Sequence, residues 1–163
     1  MATAAQRSEL LALMDYLVKQ EPHVHYGEIR PMPSCSIRNL VGLHAKVTSR
    51  AGITLDCSES VTLLCKLAGL GDPNGLHYNG TGNTETMLRH LPHYYSARSA
   101  GIGALVVFGV GHLETEHVCM VRRPGADPLL FSHGQERGPF LIPLSVEKRY
   151  HVAPYTFLSI AHL

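Results

Sequence analysis

The apolar pattern changes period once, near residue 100, and that change limits the folds open to this chain. Before it, apolar residues recur at helical spacing. Leu10, Met14, Leu17 and Val18 share one face of segment 3–20, Thr3 and Gln6 have capping-box spacing, and Pro22 stops the run. Asp56 and Glu59 have N-cap and N3 spacing for a second helix. Its buried stripe is Val61, Leu64, Cys65 and Ala68, and Gly69 or Gly71 closes it. Shorter helices are predicted around Ile37–Ser49 and over Glu85–Leu91, the latter capped by Thr84. Beyond residue 100 the chain breaks into short apolar runs divided by Gly and Pro: Ala104–Phe108, His117–Arg122, Pro128–Ser132, Phe140–Leu144 and Tyr155–Ala161. The turn Pro124-Gly125-Ala126-Asp127 joins two of them as a hairpin, and Tyr155–Ala161 is expected to close the sheet. Helices first and strands second predict an α+β fold, with the N-terminal helices packed on one side of a C-terminal antiparallel sheet.

The chain's 163 residues fit one domain, 1–163, and its 45% apolar content is enough to fold. Lys plus Arg number 14 and Asp plus Glu 13, with no dense basic run, which argues against nucleic acid as partner. No apolar stretch approaches the roughly 20 residues that span a bilayer, so no membrane insertion is expected. Arg7 and Glu9 interrupt the first apolar run, which gives no secretion signal. The expected location is therefore cytoplasmic, where paired disulfides are uncommon. Cys35, Cys57, Cys65 and Cys119 match no zinc signature, and no metal or other cofactor is expected.

Cys57 follows the helix cap Asp56. A thiol there sees the positive end of a helix dipole and unpaired backbone N–H groups, which favour thiolate. The backbone N–H of Cys57 also faces the place where an oxyanion would form. A nucleophilic thiolate needs a base. His117 opens one strand of the hairpin and His133 follows the other, so the turn near Gly125 brings them together. Nucleophile, base and orienting group are then all present. Cys119 lies two residues from His117 and shares its strand face. Cys65, on the buried stripe, is expected to be inert. A zinc site from His90, His93, His112, Glu114, Glu116 and His117 has no spacing that supports it.

Leu55-Asp56-Cys57-Ser58, then His117-Val118-Cys119-Met120-Val121, then Ser132-His133-Gly134 resemble the NlpC family of papain-like cell-wall cysteine peptidases. The segments Gly71–Gly75, Gly82–Thr86 and Ser132–Pro139, with the upstream Tyr26 and Arg30, are similar to peptidase domains of actinobacteriophage lysins. The resemblance implies a papain-like fold, with Cys57 as nucleophile, His117 as base and His133 holding its tautomer. It implies that Tyr26, Asp56 and Ser58 line the substrate cleft, and that no metal takes part. The implied reaction is hydrolysis of a peptidoglycan stem peptide, at the D-γ-glutamyl–diaminopimelate bond, by a monomeric phage endolysin. Such a protein would wait in the host cytoplasm for a holin, or travel in the virion, before acting on the cell wall. Glu59 stands where the family has Gly, next to the expected cleft, and is expected to bear on substrate preference. Two other readings stay open at this point: a non-catalytic virion or wall-binding module with a decayed site, and the same triad used as an amidase or cross-bridge endopeptidase.

Overall fold

The computed structural model describes residues 2–94, 96–110, 115–135, 138–161 and 163. In chain order the elements are α1 (Ala4–Lys19), β1 (Val24–Tyr26), α2 (Leu40–Val47), β2 (Ile53–Leu55), α3 (Cys57–Leu67), α4 (Thr84–His90), β3 (His93–Tyr94), β4 (Leu105–Phe108), β5 (His117–Arg123), β6 (Leu129–Ser132), β7 (Phe140–Pro143), α5 (Leu144–Glu147) and β8 (Tyr155–Leu158). The architecture is α+β, with the N-terminal helices ahead of a C-terminal antiparallel sheet. Strands β4 to β8 form that sheet together with the two-residue edge strand β3, in the order β3-β8-β4-β5-β6-β7. A separate parallel pair, β1 with β2, leads directly into α3.

Local chemistry sets the helix starts. Thr3 and Gln6 close a reciprocal capping box on α1. Asp56 caps α3 by accepting the Glu59 N–H at 2.7 Å. The α4 cap is Asn83 rather than Thr84. The Asn83 side chain accepts from the Thr86 N–H and the Thr86 hydroxyl answers it, which places Thr84 inside the helix.

Helix α3 is the centre of the fold, buried from Cys57 through Cys65 without a break. A helix buried all round must satisfy its own polar side chains. Ser58 donates to Asp56, Thr62 donates to the Ser58 carbonyl, and Ser60 pairs with His133. Its apolar residues join those of α1 and one face of the sheet in a single core that includes Leu10, Leu17, Leu64, Val107, Val118 and Met120.

The other face of the sheet is covered as well, contrary to the one-sided packing that the sequence predicts. Val106, Phe108, Cys119, Val121, Leu130 and Phe157 pack there with Leu144 and Val146 of α5. The run Phe140–Leu144 reads as one strand because Leu144 is apolar, but the chain leaves the sheet after Pro143 and turns into α5. Strand β8 is likewise interior. It inserts between β3 and β4 and ends at Leu158, three residues short of the predicted end. Loop 71–82 is braced from within. The Asp72 carboxylate accepts the N–H groups of Asn74, Leu76 and Tyr78, and the Asn74 amide reaches Thr62.

Candidate active site

Cys57 is the first residue of α3, buried to 7% exposure at the floor of a cleft of about 450 Å³. Tyr26, Arg30, Asp56, Ser58, Thr84 and Glu116 are among the residues that line the cleft. Burial pushes the Cys57 thiol up, but a hydrogen bond and the charge of His117, helped by the Val118 N–H, bring its pKa below the ordinary cysteine value. Thr84 Oγ1 stands 3.9 Å from Cys57 Sγ. Cys65 contrasts with it. Burial, with the Asp72 charge adding to it, drives its thiol far up, as expected of an inert core cysteine. All four cysteines are free thiols.

His117 opens β5, fully buried, and its far side is held by α5. Its Nε2 lies 2.9 Å from Ser132 Oγ and 3.2 Å from Glu147 Oε1. The Ser132 hydroxyl donates to the same carboxylate oxygen at 2.6 Å, so it receives the imidazole N–H. With Nε2 committed there, Nδ1 is the nitrogen left for Cys57. The His151 ring stacks on His117 with centroids 4.1 Å apart and planes 11° from parallel. Burial opposes charge on His117, yet Cys119, Cys57 and Glu147 together raise its pKa well above the ordinary imidazole value. Burial would raise the Glu147 carboxyl, but hydrogen bonds from His117 and Ser132 bring it below the usual range. An ionised carboxylate, a readily protonated imidazole and an activated thiol thus stand in series.

The sequence places His133 in Glu147's position, and here the structure differs. His133 makes no hydrogen bond to His117. Its Nδ1 lies 3.0 Å from Ser60 Oγ on α3, and its ring sits edge-on to Tyr26 at 5.5 Å. The hairpin of β5 and β6 forms as expected. Side-chain alternation, however, gives the strand face of His117 to Ser132 and turns the next residue, His133, toward the helices. The orienting carboxylate comes instead from Glu147, a lone acid in a four-residue helix with no spacing signal that links it to His117.

Tyr26, Asp56 and Ser58 all line the cleft, but the polar atoms of the last two are already engaged. One Arg30 nitrogen donates to Asp56 Oδ2 at 2.7 Å and to Ser58 Oγ at 2.8 Å, while Arg30 Nε reaches the Gly82 carbonyl. Glu59 does not line the cleft. It is fully buried behind α3, where its Oε1 accepts the Ser34 N–H and burial raises its pKa. Its expected influence on the substrate is therefore replaced by a role in anchoring segment 33–36.

Cys119 does share the strand face of His117, and its thiol donates to Glu147 Oε1 at 3.3 Å. Burial pushes that thiol up to about 11. His117, Cys119 and Glu147 form the one group among the described residues whose donor atoms, all within 4.8 Å of one another, could hold a small cation. His90 and His93 are not part of it, and His112 and Glu114 lie outside the described residues. No helix among the described residues is long and apolar enough to cross a membrane. Comparison with protein families, with curated proteins and with solved structures returned no match.

Proposed function

We propose that this chain is a papain-like cysteine peptidase that hydrolyses an amide bond of bacterial peptidoglycan, as a phage lysin does. The observation that carries the reading is the pairing of Cys57, at the start of α3, with a buried His117 whose other nitrogen is held by Ser132 and Glu147. In this mechanism the Cys57 thiolate adds to the scissile carbonyl while His117 holds the proton. The C–N bond breaks as His117 gives that proton to the leaving amine. Water, deprotonated by His117, then cleaves the thioester and restores the thiol. Glu147 stabilises the charged imidazole and fixes its orientation without touching substrate. The substrate class and the D-γ-glutamyl–diaminopimelate bond rest on the resemblance of the Asp56-Cys57-Ser58, His117-Val118 and Ser132-His133-Gly134 segments.

The test is digestion of purified diaminopimelate-type peptidoglycan, read by mass spectrometry, with Cys57→Ala beside the wild type. New stem-peptide fragments from the wild type alone are expected, and their masses name the bond. Identical products from both samples across several wall types would overturn the proposal in favour of a binding module.

A further inference from the structure

One buried polar atom near the nucleophile has no partner. His133 is 1% exposed and its Nε2 makes no hydrogen bond to any described residue. The proton inventory decides what that atom is. Among the described residues, the only hydrogen-bond partner of the Ser60 hydroxyl is His133 Nδ1, at 3.0 Å. A buried hydroxyl hydrogen requires an acceptor, so Ser60 donates and Nδ1 accepts. The ring proton then sits on Nε2, a donor with nothing to donate to. Leaving such a donor unpaired in a protein interior costs about 1–3 kcal/mol.

The ring's surroundings place it behind the wall of the cleft that holds Cys57. Ser60 is three residues after Cys57 on α3, which puts the two on neighbouring positions of one helix face. Tyr26, against which the ring rests, is a wall of the cleft above Cys57. The charges of His117 and Asp56 both act on His133, and burial with the His117 charge keeps the ring neutral, with a pKa pushed down to about 4. Helix α3 also presents the Cys57 N–H at its free end.

We propose that His133 is a second oxyanion donor, whose Nε2–H acts with the Cys57 backbone N–H on the oxygen that becomes negative when the thiolate adds to a carbonyl. The inference rests on the nucleophile reading above. As the S–C bond forms, the carbonyl π pair moves onto oxygen and is held by the two N–H groups. No proton passes to that oxygen. When the pair returns, the C–N bond breaks, and the leaving amine takes its proton from His117. Stabilising charge that exists only in the transition state is what raises the rate of such a step.

Two electrophiles applied to the whole chain separate this role from its rivals. Iodoacetamide alkylates Cys57 by displacement of iodide at a saturated carbon, so no oxyanion develops. 4-Nitrophenyl acetate acylates Cys57 through a tetrahedral oxyanion and releases 4-nitrophenolate, without any need for the natural substrate. His133→Phe is expected to slow acylation by about 100-fold while alkylation stays within about twofold. His133→Gln, which restores an N–H donor, is expected to recover most of the loss. Equal losses with both reagents would make His133 a positioning residue, and no loss with either would make it structural; both results overturn the proposal. Should His133→Phe fail to fold by circular dichroism, Ser60→Ala frees the tautomer and is expected to cause a smaller loss, still confined to acylation. An unchanged ratio of the two rates in Ser60→Ala overturns the proposal. If wild-type Cys57 alkylates no faster than Cys35, the nucleophile reading itself fails and takes this inference with it.

Discussion

Glu147 shows how much one side chain decides at this site. Its Oε1 accepts from Ser132 and Cys119 and lies 3.2 Å from His117 Nε2, and no water-exposed surface is left on the residue. Glu147→Gln keeps the volume and removes the charge that favours the imidazolium. The expected result is a loss of about 100-fold in hydrolysis, comparable to removing general acid–base assistance. A structural defect would lower the rate alike at every pH. Loss of the carboxylate charge moves the rise of Cys57 alkylation to higher pH, because a less basic His117 no longer holds the thiol's pKa down. Cys35 supplies the internal reference, since burial raises its pKa and keeps it a thiol across that range. A pH profile that coincides with the wild type's would remove Glu147 from the proton pathway.

At the scale of the element, α3 depends on its first turn. Asp56 accepts the Glu59 N–H and the Ser58 hydroxyl and pairs with Arg30, so one carboxylate ties the helix start to loop 82 through the Arg30 bond to the Gly82 carbonyl. Asp56→Ala removes the cap and leaves Arg30 without its anion. A cost of about 1–2 kcal/mol is expected in urea unfolding. Asp56→Asn keeps the cap oxygen and is expected to lose less, so its difference from wild type isolates the Arg30 charge pair and the difference between the two variants isolates the cap. Equal stability of Asp56→Ala and wild type would mean that the cap does not hold the helix. This part of the site was legible in the sequence, because a cap and its helix are neighbours along the chain. The other covered face of the sheet was not. Leu144 reads as the last residue of a strand until the chain's exit at Pro143 turns it, with Val146, into the helix that carries Glu147.

The whole molecule feels the site through pH. His133 is held neutral between α3 and the sheet, with a folded pKa of about 4 against an ordinary value of 6.5. The unfolded chain therefore takes up the proton first as pH falls. The stability tied to this ring is fully present above the unfolded pKa and is lost as pH drops toward the folded one. Between about pH 7 and pH 5 the expected loss is about 2 kcal/mol. His117 opposes it only in part in that window, and to the same extent in both proteins compared below. Its folded pKa is raised, so its contribution is complete below its unfolded value and declines only at higher pH. Urea unfolding at the two pH values, for wild type and His133→Phe, measures the difference. Equal losses in both proteins would show that His133 does not titrate with unfolding.

The sequence alone determined what depends on neighbours along the chain. It set the helical and strand periods, the capped starts of α1 and α3, the α+β order, and a thiol at a helix N-terminus with a histidine at the start of a strand. It also brought the two hairpin strands together, since their turn is short. Only the tertiary structure decided which groups meet His117. That choice rests on the alternation of side chains at the end of β6, where a shift of one residue exchanges Ser132 for His133. It rests equally on α5, whose Glu147 meets His117 on the face of the sheet turned away from α3. Contacts of that kind follow from the packing of layers, and no spacing along the chain encodes them.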